Sequence, residues 1–148
     1  MNGAEIVRDR LLTLTSVTSL VATRIWCALL KQGNQSAAVR VSLVPGAPEA
    51  VHLRGRSSVI VDRVQVDAYA YEKTSSDPLG DARAIALAAY GDMVGGVATG
   101  LIGWSGSLGS PGVLVDAIQS ASRPIEMFLA DELRQWVVSQ DYYVQYRA

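Results

Sequence analysis

Apolar and polar residues alternate most regularly in the middle of this chain. From Arg63 onward, Val64, Val66, Ala68 and Ala70 fall on one side of an extended backbone, and Arg63, Gln65, Asp67 and Tyr69 fall on the other. A period of two is the mark of a strand whose faces differ in environment. The pattern predicts a strand over residues 59–71, with one face packed on helices and the other turned to water or to a neighbour. Residues 135–147 predict a second long strand. There Trp136, Val138, Tyr142, Val144 and Tyr146 share one face, and Val137, Ser139, Asp141, Tyr143 and Gln145 share the other. A shorter strand is predicted where Val39, Val41 and Leu43 alternate with Arg40, Ser42 and Val44, until Pro45-Gly46-Ala47-Pro48 stops it. Another covers residues 113–120, and an irregular stretch surrounds Arg123-Pro124.

Helical spacing appears twice. Near the start, Ile6, Val7, Leu11 and Leu14 fall on one face, and Asn2 is placed to cap it. Thr15 or Ser16 can cap a short second turn that carries Val17, Leu20 and Val21. The stronger helix signal is Ser75-Ser76-Asp77-Pro78, with Asp77 as the cap and Pro78 at the first helical position. Leu79, Ala82, Ile85, Ala86, Ala89 and Met93 then line one face, and Gly91 or Gly95 ends the helix.

Two segments carry neither period. Residues 45–58 read as a polar arm with His52, Arg54 and Arg56, and residues 95–112 as a Gly- and Ser-rich loop insertion. The element order implies an α+β fold: one domain over residues 1–148, with a four-stranded, mostly antiparallel sheet packed by two main helices.

Composition narrows the chemistry. Hydrophobic residues make up 49% of the 148 and charged residues 18%, with a formal net charge of −1. This is a globular chain without the cationic excess that tight DNA binding requires. Met1 to Arg10 contains no apolar core of a signal peptide. The longest uncharged run, 93–115, is too rich in glycine to read as a membrane span.

Catalytic arrangements fail on residue counts. With one His and one Cys, a catalytic zinc site lacks its ligands. Cys27, between Trp26 and Ala28, reads as a small buried apolar side chain, and His52 reads as a surface histidine. Asp62 and Asp67 fall on opposite strand faces, and they and Asp131-Glu132 read as solvated. Gly103-Trp104-Ser105-Gly106-Ser107 lacks the second glycine of a nucleophile elbow. Gly95-Gly96-Val97-Ala98-Thr99-Gly100 lacks the Lys of a phosphate-binding loop. No catalytic residue, metal ligand or cofactor is therefore expected. What remains is an interaction surface. Tyr69 and Tyr71 on the outer strand face are candidate anchors, because tyrosine buries a large area while keeping a polar tip. The candidate interface set is His52, Arg54, Arg56, Arg63, Tyr69, Tyr71, Trp104 and Tyr143.

Three stretches together resemble the tail-completion or tail-terminator family of long-tailed bacteriophages, prophages and gene transfer agents. They are Leu11-Leu12 through Ser19-Leu20-Val21-Ala22-Thr23-Arg24-Ile25-Trp26, then Arg63 to Ala70 with the Ala-rich helix after it, and the closing Trp136 to Arg147. The resemblance implies a structural virion protein, assembled in the host cytoplasm. It would form a homo-oligomeric ring, commonly six-fold, at the head-proximal end of the tail. Its partners would be further copies of itself, the tail tube protein and the head–tail connector protein, with DNA only passing through the lumen and no membrane. The resemblance carries no cofactor and no catalytic residue. The 95–112 segment departs from the family pattern. Two rival readings remain: a head-closure or other connector ring, and a small hydrolase or ligand-binding domain using Cys27 or His52.

Overall fold

The computed structural model describes residues 1–46, 51–52, 55–56, 59–109, 112–130 and 134–147. In chain order the helices are α1 (Gly3–Leu12), α2 (Thr15–Val21) and α3 (Pro78–Tyr90). The strands are β1 (Ile25–Cys27), β2 (Ala38–Val44), β3 (Val51–His52), β4 (Gly55–Arg56), β5 (Val59–Tyr71), β6 (Met93–Val94), β7 (Val97–Ala98), β8 (Gly106–Leu108), β9 (Val113–Ser120), β10 (Ile125–Leu129) and β11 (Gln135–Arg147).

The two long strands form the centre of the sheet. β5 and β11 pair antiparallel along their whole length, from Gln135 opposite Tyr71 to Arg147 opposite Val59. β2 lies on the other side of β5, and β1 pairs parallel with β2. On the far side, β9 takes residues 142–147 of β11 and β10 takes residues 135–139, so the two share one edge of the same strand. β8 closes the order beyond β9.

The expected four-stranded, mostly antiparallel sheet packed by two helices is therefore corrected. The sheet has seven strands, is mixed because of the β1–β2 pair, and is covered by three helices. β1, β8 and β10 are three to five residues long. Runs of that length carry little periodicity of their own and become strands by pairing with longer neighbours.

The helix starts follow local chemistry. At α1, Asn2 and Glu5 form a reciprocal capping box. Asp62 of β5 accepts a 2.8 Å hydrogen bond from the Gly3 amide, placing a carboxylate at the positive end of this helix. At α3, Asp77 accepts from the Gly80 amide and Pro78 occupies the first turn. α2 starts at Leu14 with no side-chain cap, rather than at a capping Thr15 or Ser16. Gly91 ends α3 at φ +72°, and a Cβ there would lie 2.3 Å from the Gly100 amide nitrogen, so only glycine fits.

The core lies between the helices and one face of the sheet. Ile6, Val7, Leu11, Val17, Val21, Ile85 and Ala89 pack against Val39, Val41, Val64, Val66, Ile118 and Val144. Each Val, Leu or Ile among them contributes roughly 1.5–3 kcal/mol of transfer free energy when fully buried. Leu101, from the glycine-rich segment, joins this core. Its amide and that of Ile102 donate to the Ala89 and Tyr90 carbonyls at 2.9 and 3.1 Å, pairing carbonyls at the end of α3. The 95–112 segment thus holds β7, β8 and a core residue as well as turns. Met93, expected on the buried face of α3, instead belongs to β6 and is exposed.

Candidate functional site

The face of the sheet turned away from the helices carries the charged residues that the alternation assigned to it. Register sets Arg40 of β2 and Ser139 of β11 on either side of Asp67 of β5. Arg40 donates to Asp67 Oδ2 from Nε at 3.0 Å and from Nη2 at 2.6 Å. Gln65 Nε2 donates to Oδ1 at 2.8 Å, and Ser139 Oγ donates to the same oxygen. Asp67 is 0% exposed, which corrects its reading as solvated. A buried carboxylate is tolerable only when charge and hydrogen bonds replace the lost water, and these three donors do so. Asp62 is also occupied, accepting from the Tyr146 hydroxyl at 2.9 Å as well as from Gly3. Asp131 and Glu132 lie outside the described residues.

Tyr69 and Tyr71 stand on this outer face, as expected, but they are only 5% and 1% exposed. They form a small second core with Val137, closed by Leu30 from the segment between β1 and β2. Asn34 Nδ2 reaches the Tyr71 hydroxyl at 3.4 Å, and Thr74 Oγ1 donates to the Gln35 carbonyl at 2.7 Å. A polar-looking connection thus folds over the face and covers the two rings. Burial, and next the Asp67 carboxylate, raises the Tyr69 phenol to about 12. The Arg40 guanidinium lies 5.7 Å from the Tyr69 ring centre.

The other predicted residues are dispersed. Arg63 and Tyr143 stand directly opposite each other on the outer face. Arg63 binds Asp141 through two hydrogen bonds of 2.9 and 2.6 Å, and Tyr143 lines a shallow recess of about 130 Å³ with Val61, Ala117, Gln119 and Gln145. Trp104 lies under the Arg10 guanidinium, 4.7 Å from the ring centre. His52 and Arg56 belong to the β3–β4 pair, and Arg54 lies outside the described residues. Cys27 is half-buried rather than fully buried, and burial pushes its thiol up, away from the reactive thiolate. Among the described residues, no group of three His, Cys, Asp or Glu could hold a metal ion. Likewise no helix is long and apolar enough to cross a membrane.

Two exposed apolar features were missed. Ile125, Met127, Phe128 and Leu129 make up four of the five residues of β10, and all are exposed. An exposed apolar edge strand invites pairing with another chain. The run Ile125-Glu126-Met127-Phe128-Leu129 directly after Pro124 was the available sequence signal. The second feature is the β6–β7 hairpin, where Met93, Val94 and Val97 are exposed around a Gly95-Gly96 turn with φ of +58° and +79°. Two adjacent positive φ values fit a tight two-residue hairpin loop. Between α3 and the β9–β10 junction lies a recess of about 510 Å³, lined by Ala86, Leu87, Tyr90, Pro124 and Val138 among others. Arg83 and Glu126 pair at its border through hydrogen bonds of 2.5 and 2.9 Å. The Arg83 guanidinium holds the Glu126 carboxyl below the usual carboxylate range.

No family model matches the sequence, and no curated protein does. Among solved structures, the chain is similar to one from the virion of a native gene transfer agent particle. The similarity has a TM-score of 0.64 and 16% sequence identity, over 96% of this chain and 92% of that one. At this identity the likeness shows a shared fold.

Proposed function

We propose that this chain is a structural virion protein, and more specifically a tail terminator. It forms a homo-oligomeric ring that caps the tail tube at its head-proximal end and joins it to the head-side connector. The observation that carries the coarser reading is the fold shared with a chain of a gene transfer agent virion over nearly the full length of both chains. The finer reading rests on the three sequence stretches that resemble the tail-terminator family. Their structural counterparts are α1 through β1, β5 with α3, and β11.

The surfaces fit an assembly role. β10 and the β6–β7 hairpin expose apolar side chains that a neighbouring chain would cover. The described cations of the outer face, Arg40, Arg63 and Arg147, each pair with a carboxylate, which leaves little excess charge to hold a DNA backbone. In this reading the chain is one domain that works by assembly, without catalytic residues or a cofactor.

The test is deletion of the gene, with complementation by a tagged copy. Filled heads and unjoined tails in the deletion strain, with the tag located by electron microscopy at the head-proximal end of the tail, are the expected results. Joined, infectious particles in the deletion strain would overturn the reading. A tag on the capsid or at the distal tail tip would overturn the terminator assignment.

A further inference from the structure

The β6–β7 hairpin is a stiff projection with an apolar tip. The Arg10 guanidinium holds its base, donating to the Ala98 carbonyl at 3.2 Å and to the Gly100 carbonyl at 3.2 and 3.4 Å while resting on Trp104. Asp92 and Thr99 close the base, with the Thr99 amide donating to the Asp92 carbonyl and the Asp92 amide donating to Thr99 Oγ1, both at 2.8 Å. Beyond this anchor, Val94 and Val97 are 62% and 67% exposed. Ordering a segment this firmly while leaving its apolar side chains in water is unfavourable for the isolated chain.

The recess between α3 and the β9–β10 junction has the complementary character. Its walls are mainly apolar, Leu87 at its edge is 71% exposed, and no hairpin residue lines it. Charge matches as well. Asp92 at the hairpin base has no cationic partner among the described residues, and Arg123 at the recess has no anionic one, whereas Arg83 and Glu126 at the same recess neutralise each other. Projection and recess thus carry opposite unpaired charges beside apolar surfaces.

We propose that the hairpin tip of one copy seats in the α3–β10 recess of the next copy, with Asp92 of the first facing Arg123 of the second. The two surfaces are different parts of one chain, so the contact is heterologous and repeats from copy to copy until rotation closes it. The closed ring rests on the function proposed above. The tip–recess contact itself is a separate statement about this surface.

Cross-linking with a flexible bis-maleimide tests the contact in a Cys27→Ala background, both in particles and in concentrated purified protein. One variant carries Val97→Cys on the tip and another carries Leu87→Cys at the exposed edge of the recess, where neither change disturbs the core. The expected result is covalent dimers when the two variants are mixed, none from either variant alone, and a ladder of multimers when both cysteines are in one chain. Asp92→Arg and Arg123→Asp should each reduce the dimer yield about tenfold, and the double swap should restore it. Cross-linking of Val97→Cys to itself would overturn the proposal in favour of a symmetric tip–tip contact. A link to a different particle protein would overturn it in favour of another occupant, and no link in either material would overturn it outright. Tail-end labelling without a tip–recess link would sink this contact and leave the terminator reading intact. A tip–recess ladder in a protein absent from tails would do the reverse.

Discussion

The centre of the sheet and its β10 margin treat side chains in opposite ways. At the centre, β5 and β11 bury even part of their polar outer face: Asp67 is sealed by Arg40, Gln65 and Ser139, and Tyr69 and Tyr71 lie beneath the segment between β1 and β2. At the margin, β10 pairs with β11 alone and leaves Ile125, Met127, Phe128 and Leu129 exposed. A charged residue is buried where the chain closes on itself, and apolar residues are exposed where it does not. The difference separates two tasks. The centre stabilises the single chain, and the margin is available to another.

The largest effect is expected from Arg40→Ala. It leaves the Asp67 carboxylate buried without its cation, and should destabilise folding by about 3–5 kcal/mol, read from urea unfolding. Asp67→Asn should cost less, because the half-exposed Arg40 can turn to water. Equal small losses would show that the pair does not hold the centre together. Leu101→Ala should cost about 3 kcal/mol by opening a cavity beneath the glycine-rich segment. A negligible change in the same assay would make that segment a loop in energetic as well as compositional terms.

A gentler probe uses pH. The Tyr69 phenol ionises at about 12 in the folded chain, against an ordinary value of 10.0. A raised value means that the stabilisation is fully present below pH 10 and is lost as pH rises from there through about 12. Circular dichroism from pH 9 upward should show alkaline unfolding, and Tyr69→Phe should make the fall in stability over that window shallower. The smallest effect on folding is expected at the margin. Met127→Ser should change stability by less than about 0.5 kcal/mol while reducing self-association in sedimentation experiments. A large loss of stability there would mean that β10 serves the single chain, and the contrast would collapse.

Part of the fold was legible because its signals are local. Thirteen residues of β5 alternate at a period that no helix can satisfy, and β11 and β9 occupy the predicted ranges for the same reason. Asp77-Pro78 marks the start of α3 by chemistry confined to one turn. β1 and β8 had no such signal, and β10 had only a short apolar run without alternation. Each is short, and each is extended because a long neighbour offers unpaired backbone groups. The burial of Tyr69 and Tyr71 shows the same limit. Alternation put Tyr69 and Tyr71 on the outer face, yet nothing in a period of two reveals that Leu30, some forty residues earlier in the chain, will lie over them.

By itself, then, the sequence determined which side of each long strand every residue takes, and where α1 and α3 begin. Only the tertiary structure decided which surfaces would be buried and which left exposed. It brought Arg40 and Ser139 beside Asp67 and buried the carboxylate, while it placed β10 at a margin and left its apolar side chains in water. The physical reason is that residue type sets the free energy of burial, whereas burial itself is set by what distant segments bring to the same place.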